Sequence, residues 1–398
     1  MSNRVETAIP SSDGIRRDFI LFMGAVVLFS FSQSVINSVF NNFLNESFSI
    51  TDFQRGILEI PREMPGLLVV FFSALFFFLS ARRLATLAFV LAAAGTLFLG
   101  LFSTSYAVML GWLFMYSTGQ HIFLPLNQSL GMEFAKEGNA GKVLGRQVGA
   151  MNFSAIAGSF IIFLGFRYLD FTFTLSYIIA ALGFIAGAVF IFLMRPGRSH
   201  PAKSKIILRK KYGLFYWLSI LFGTRKQLFL TFAPWVLVTI FEQQTAMVAT
   251  LLTIGGIIGI VFNPLLGRAI DHLGERAILM GEALVLIFVC LGYGYAKSLF
   301  SAPVALLVAS ACFILDQLLM SVSMARATYL RKIALKPEDV SPTLIMGVSI
   351  DHVFSIGIAL VSGFLWLKLG YQYVFLLGAL IAGVNLASAY FVKIPVRE

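Results

Sequence analysis

Charge is what this chain has least of. Asp, Glu, Lys and Arg make up 12% of its 398 residues and hydrophobic residues 58%, with a mean hydropathy of +0.87. A soluble domain needs far more polar surface, so a water-soluble enzyme or binding module is excluded. Cysteine is nearly absent. Cys290 and Cys312 both fall inside apolar stretches, which excludes a disulfide framework and leaves no metal-ligand spacing, so no metal and no other cofactor is expected. No phosphate-loop glycine pattern occurs, which removes an ATP-driven mechanism. The polar residues 1–15 precede an apolar stretch too long for a signal peptide.

What is present is apolar length. A spanning helix needs about 20 mostly apolar residues. Twelve stretches qualify, over residues 17–42, 55–79, 84–103, 106–132, 143–166, 172–194, 213–241, 246–266, 276–296, 302–330, 342–367 and 371–392. The pattern predicts an all-α polytopic membrane protein of twelve transmembrane helices in two six-helix bundles. Residues 1–194 form the first bundle, 195–211 a basic linker and 212–398 the second bundle. The linker holds Pro196, Gly197, Pro201 and a run of basic residues with no acidic one.

The net charge of +11 would fit a nucleic-acid binder, but its placement argues otherwise. Arg16, Arg17, Arg82, Arg83, Lys136, Lys142, the linker, Arg268, Arg276, Arg331, Lys332 and Lys336 occupy one set of loops. The other set holds only Arg55, Arg167, Lys297 and Lys368. This is the positive-inside bias, which places both termini and the linker in the cytoplasm of a prokaryotic inner membrane. Pro61 and Pro65 interrupt span 2, Pro125 span 4 and Pro234 span 7, while Pro264 is expected to end span 8. Each removes a backbone hydrogen bond, which neighbouring helices or cavity water can replace. Parallel halves with nested repeats characterise one large class of transporters.

After span 8 the chain reads Gly267-Arg268-Ala269-Ile270-Asp271-His272-Leu273-Gly274-Glu275-Arg276. This resembles the Gly-x-x-x-Asp-x-x-Gly-Arg-Lys/Arg loop of the major facilitator superfamily. Gly267, Asp271, Gly274 and Arg276 match, and Glu275 departs at a usually basic place. The resemblance implies that these four residues serve a cytoplasmic gate. It also implies a central cavity lined by spans 1, 4, 7 and 10. The corresponding loop of the first half is only Ser80-Ala81-Arg82-Arg83, a degenerate copy, and span 5 lacks the proline of many drug antiporters.

An ionisable residue deep in a spanning helix costs roughly 2.5–3.5 kcal/mol on insertion scales, so it faces a cavity or a partner. Span 7 carries Arg225 and Lys226, about 20 Å along its axis and close to the midplane. Span 2 carries Glu59, Arg62 and Glu63 on one face, with two acids against one base. Span 10 offers Asp316 and Gln317, span 11 Asp351 and His352, span 4 His121, and span 1 Gln33 and Asn37. Desolvation favours the neutral form of a carboxylic acid, and imidazole titrates near physiological pH. The expected substrate ligands are therefore Arg225, Lys226, Arg62, Gln33, Asn37, His121 and Gln317. The expected proton carriers are Glu63, Glu59, Asp316, Asp351 and His352. Arg146 and Arg326 lie nearer the ends of their spans and read as snorkelling or gate residues.

Together these expectations describe a proton-coupled transporter of a small organic anion, working by alternating access. It is no enzyme, acts as a monomer, and has a small-molecule substrate, a coupling ion and the lipid bilayer as partners. The rival expectation is a proton-coupled exporter of amphipathic or cationic drugs. In that case the acids bind substrate and the cations are structural.

Overall fold

The computed structural model describes residues 12–75, 78–134, 140–195, 208–336 and 339–393. Most of the expected linker, residues 196–207, lies outside the described residues. In the first half, α1 (Ser12–Phe48) is followed by α2 (Asp52–Ile57) and α3 (Glu59–Leu75), which together make span 2. Then come α4 (Ala81–Leu101), α5 (Tyr106–Glu133), α6 (Ala140–Tyr168) and α7 (Phe173–Phe192). The second half holds α8 (Gly213–Thr239), α9 (Thr245–Leu299), α10 (Ala302–Leu319), α11 (Ser323–Ile333), α12 (Val340–Leu369) and α13 (Tyr371–Ala389). Spans 8 and 9 are the two arms of α9, and span 10 is α10 continued into α11. All twelve expected spans are accounted for.

Local chemistry sets the boundaries. Thr51 caps α2 with a full capping box to Gln54, and Ser80, Ser105 and Thr172 cap α4, α5 and α7. Each cap satisfies an amide left free at a helix start. Span 2 breaks at Leu58, three residues before Pro61, whose missing N–H cannot close the helical turn. Pro264 does not end span 8. The helix runs through it to the kink at Gly274, because Pro264 lies inside a membrane helix whose neighbours shelter the freed carbonyl. Gly274 has φ +80°, a conformation that strains any residue with a Cβ, so glycine is required where the two arms of α9 fold back.

Each half is held by rings stacked edge-on. Phe29, Phe89, Phe123 and Phe184 bring α1, α4, α5 and α7 together at centroid separations of 4.6–6.3 Å. Phe229, Tyr293 and Phe375 do the same for α8, α9 and α13 at 4.8–6.0 Å. Such pairs add about 0.5–1.5 kcal/mol beyond the area they bury.

The halves meet in several places. Here the end carrying Asp18, Arg82, Arg195, Arg209 and Lys332 is termed the basic face, and the opposite end the far face. Toward the far face, Asp52 of α2 accepts from the Trp235 indole at 2.7 Å, and Asn42 donates to the Gln243 carbonyl at 2.9 Å. Ser159 of α6 and Thr253 of α9 hydrogen-bond at 2.9 Å. A Cβ on Gly56 would lie close to the Ala359 carbonyl and the Gly363 Cα, so α2 and α12 cross almost backbone to backbone. Toward the basic face α11 packs on α8, α9 and α12 of its own half. The side-chain hydrogen bonds that join the halves among the described residues thus include a group toward the far face.

Candidate functional site

At mid-depth between the halves lies a cavity of about 310 Å³. Gln33 and Asn37 of α1 and Asn152 of α6 line it from one side, and Asn263 of α9 and Gln317 of α10 from the other. Ser30, Ser34, Ser159 and Ser321 add hydroxyls, while Ala155, Ile156, Leu252, Leu318 and three glycines supply an apolar remainder, and among the described residues no charged or aromatic side chain lines it. The Asn263 Oδ1 is buried with no protein partner. The amides and hydroxyls of this wall recognise hydroxyls, amides and carboxylate oxygens by hydrogen bonding.

A charged seam runs along α2 and α3 where they meet the second half. Arg55, fully buried, donates to Glu59 at 2.6 Å and to Asn41 at 3.1 Å. Arg62 reaches the same Glu59 oxygen at 3.2 Å, and Gln227 of α8 donates to the other at 2.9 Å. One turn deeper, Glu63 meets the His352 ring at 2.7 Å. Asp52, Gly56, Glu59 and Glu63 all face across the interface, at spacings of four, three and four that keep them on one helical face. Arg55 is thus no loop residue, although its place before span 2 suggested one. It sits inside the bundle because Glu59, one turn on, and Asn41 of α1 satisfy its guanidinium.

The two cations of span 7 diverge, as adjacent helical residues must. Lys226 donates to Asp351 at 2.7 Å, and Ser355 Oγ donates to that carboxylate's other oxygen. Arg225 turns the other way, into the second bundle, where it is 2% exposed. It donates to Asp316 and lies 3.7 Å from Glu282 of the second arm of α9. The Lys226 and Arg62 side chains stay 21% and 22% exposed. The structure thus sorts the expected ligands. Gln33, Asn37 and Gln317 line the polar cavity. Lys226, Arg62 and His121 belong to the seam, and Arg225 is enclosed by acids.

His121 packs against His352 with ring centroids 5.1 Å apart. Glu63, His121 and His352 place one donor atom each within 4.8 Å of one another, the donor types of a divalent-metal site. The 2.7 Å contact between Glu63 and His352 is closer than the roughly 3.3 Å that separates two ligands of a tetrahedral ion at 2.0–2.1 Å. Glu63 and His352 are hydrogen-bonded to each other, whereas the His121 Nδ1 bonds Ser117 of its own helix.

At the basic face the matched loop residues divide. Asp271 is exposed, and Arg276 stacks on the Tyr390 ring at 4.3 Å. Gly267 sits within the first arm of α9 and Gly274 makes its kink. Glu275, the departure from the pattern, is fully buried and lies 2.6 Å from Lys332 at the end of α11. In the first half Arg82 plays the organising part. It bonds Asp18 of α1, Glu133 of α5 and the Arg195 carbonyl at the end of α7.

Sequence reasoning overlooked Glu282, Asp18 and Arg55 as partners. Glu282 was detectable, as a lone acid in the span at 276–296. Its partner was not, because Arg225 lies 57 residues away on a helix whose rotation no periodicity reports.

Comparison with known proteins bears on this arrangement. The family model described as Major Facilitator Superfamily matches residues 22–341. A nucleoside transporter, NupG, superposes with a TM-score of 0.75 at 12% identity, covering 94% of this chain and 98% of that one. A D-xylose-proton symporter gives 0.73 at 15%, covering 96% and 98%. The inward open conformation of the xylose transporter XylE from E. coli gives 0.71 at 15%, with the same coverage. At such identities the likeness establishes the fold. No curated protein matches the sequence.

Proposed function

This chain belongs to the major facilitator superfamily, and from that premise we propose that it couples the movement of a small polar organic anion to that of protons. That it is a multi-pass membrane transporter follows from the family and the fold. The observation that carries the finer reading is the 310 Å³ cavity, walled by amides and hydroxyls from both halves. A cavity shared by two halves is what alternating access requires. The basic face is read as cytoplasmic, and the carrier is read as acting as a monomer.

The charge arrangement supports anion coupling. Lys226 and Arg62 are partly exposed cations within the spans, and each is held by an acid, Asp351 or Glu59. An anion competing for Lys226 displaces Asp351 from it, the exchange of partners that would link anion and proton. Glu63 with His352, and Asp316 with Arg225, are further places where a proton can be taken up as a pair parts. Drug export is the weaker reading, because an amphipathic cation favours aromatic walls and the cavity lining holds no aromatic side chain among the described residues.

The test is uptake into proteoliposomes under an inward proton gradient. The solutes are succinate, gluconate and glucose 6-phosphate, with xylose, uridine and ethidium as neutral and cationic comparisons. An anion should be concentrated by wild type, and its uptake should collapse in Lys226→Gln and weaken in Arg225→Lys. Wild-type anion affinity in both variants would refute the reading.

A further inference from the structure

Beside the cluster around Arg225 lies a second, smaller cavity of about 140 Å³, between α8, α11 and α12 on the basic-face side of the second half. Arg326 lines it together with Ser219, Phe222, Ser323, Gly347 and Asp351. Arg326 is 5% exposed, and among the described residues its guanidinium makes no hydrogen bond and no ion pair. It stacks on the Phe222 ring, whose centroid lies 3.5 Å from the guanidinium carbon. A guanidinium has five N–H donors in a planar fork. Stacked on a ring, it keeps the fork's edge free for an acceptor.

Two of the nearby acids are committed elsewhere, whereas Glu282, buried with no hydrogen bond to either oxygen, offsets the charge of Arg326 as well as that of Arg225 through space without bonding it. Asp351 gives one oxygen to Lys226 and the other to Ser355. Asp316 accepts from Arg225, and Glu282 lies 3.7 Å from the same guanidinium. A buried, hydrogen-bond-free cation aimed into a cavity is costly unless a ligand completes it. We propose that Arg326, backed by Phe222 and flanked by the Ser219 and Ser323 hydroxyls, is an anion site that takes a carboxylate or phosphate group. The cavity holds the volume of about four to five waters at roughly 30 Å³ each, enough for one such group. The site deepens the proposed function by adding a second anion-receiving cation beside Asp351, the partner of Lys226, and in that respect it rests on that reading. A sequence view of Arg326 as a snorkelling residue is replaced, since the side chain is folded inward over Phe222 rather than extended to the membrane surface.

Binding can be read without transport. The full chain in phosphatidylcholine nanodiscs is titrated calorimetrically with inorganic phosphate and with succinate, against chloride at matched ionic strength. Saturable binding of at least one anion is expected, weakened tenfold or more by Arg326→Gln and partly retained by Arg326→Lys. Ser323→Phe, at an exposed position, should block the cavity while leaving the guanidinium and the fold in place. Repeating the titration in phosphatidylglycerol nanodiscs identifies the source of the ligand. Competition there in wild type but not in Arg326→Gln assigns the site to a lipid headgroup, and no competition assigns it to a free anion. No saturable binding in wild type, or full binding in both Arg326→Gln and Ser323→Phe, overturns the site. Binding lost while coupled anion uptake persists sinks this inference alone. Binding kept where no anion is transported sinks the proposed function alone.

Discussion

Arg225 is the residue whose removal should cost this fold most. It is 2% exposed, donates to Asp316, and has Glu282 at 3.7 Å. Arg225→Met keeps much of the volume and strands two carboxylates in the interior. Breaking a buried pair by removing one partner costs about 3–5 kcal/mol, a large part of the roughly 5–15 kcal/mol that holds a typical protein folded. Asp316→Asn should cost less, about 1–3 kcal/mol, because Glu282 remains as a second partner for the guanidinium. Replacing the pair together, as Arg225→Met with Asp316→Leu, removes one of the two stranded carboxylates and leaves Glu282. Apolar replacement of a buried pair is often neutral, so the double variant should recover about 2 kcal/mol relative to Arg225→Met. The assay is reversible unfolding in mixed detergent–SDS micelles followed by tryptophan fluorescence, with the coupling taken from the double-mutant cycle. The reasoning fails if Arg225→Met lies within about 0.5 kcal/mol of wild type, the range of an ordinary surface change. It fails equally if Asp316→Asn costs as much as Arg225→Met.

Three further outcomes are expected. Gly56→Val places a side chain against the Ala359 carbonyl and Gly363, so it should wedge α2 from α12. Disulfide formation between cysteines placed at Asn42 and Gln243, efficient in the wild-type background, should then fall several-fold, and unchanged cross-linking would show that the far-face contact does not depend on this crossing. Lys332→Met leaves the buried Glu275 without its cation and should lower thermal stability more than Asp271→Asn, whose carboxylate is exposed. Equal melting temperatures for the two would contradict that ranking. For orientation, a cysteine at Ser199 should be unreachable by a membrane-impermeant maleimide in intact cells, and strong labelling would reverse the assignment of the basic face.

Composition and periodicity were enough for the class of this molecule. Twelve apolar stretches separated by short loops leave a chain no option but to span a bilayer repeatedly, since backbone polar groups in lipid must be satisfied within helices. The loop from Gly267 to Arg276 pointed to the family through its resemblance to that family's loop. The sequence also identified Arg225, Lys226, Asp316 and Asp351 as charges too costly to leave unpaired. It could not pair them. Which way Arg225 and Lys226 point depends on the rotation of α8 against α10 and α12, a property of packing and not of local pattern. For the same reason Glu275, read from sequence as a departure from a motif, proved to be buried against Lys332 of another helix. Arg326, read as a surface-seeking cation, proved to be folded over Phe222. Sequence determines which residues cannot rest in lipid unassisted, and only the tertiary structure decides which of them neutralise one another and which are left for a ligand.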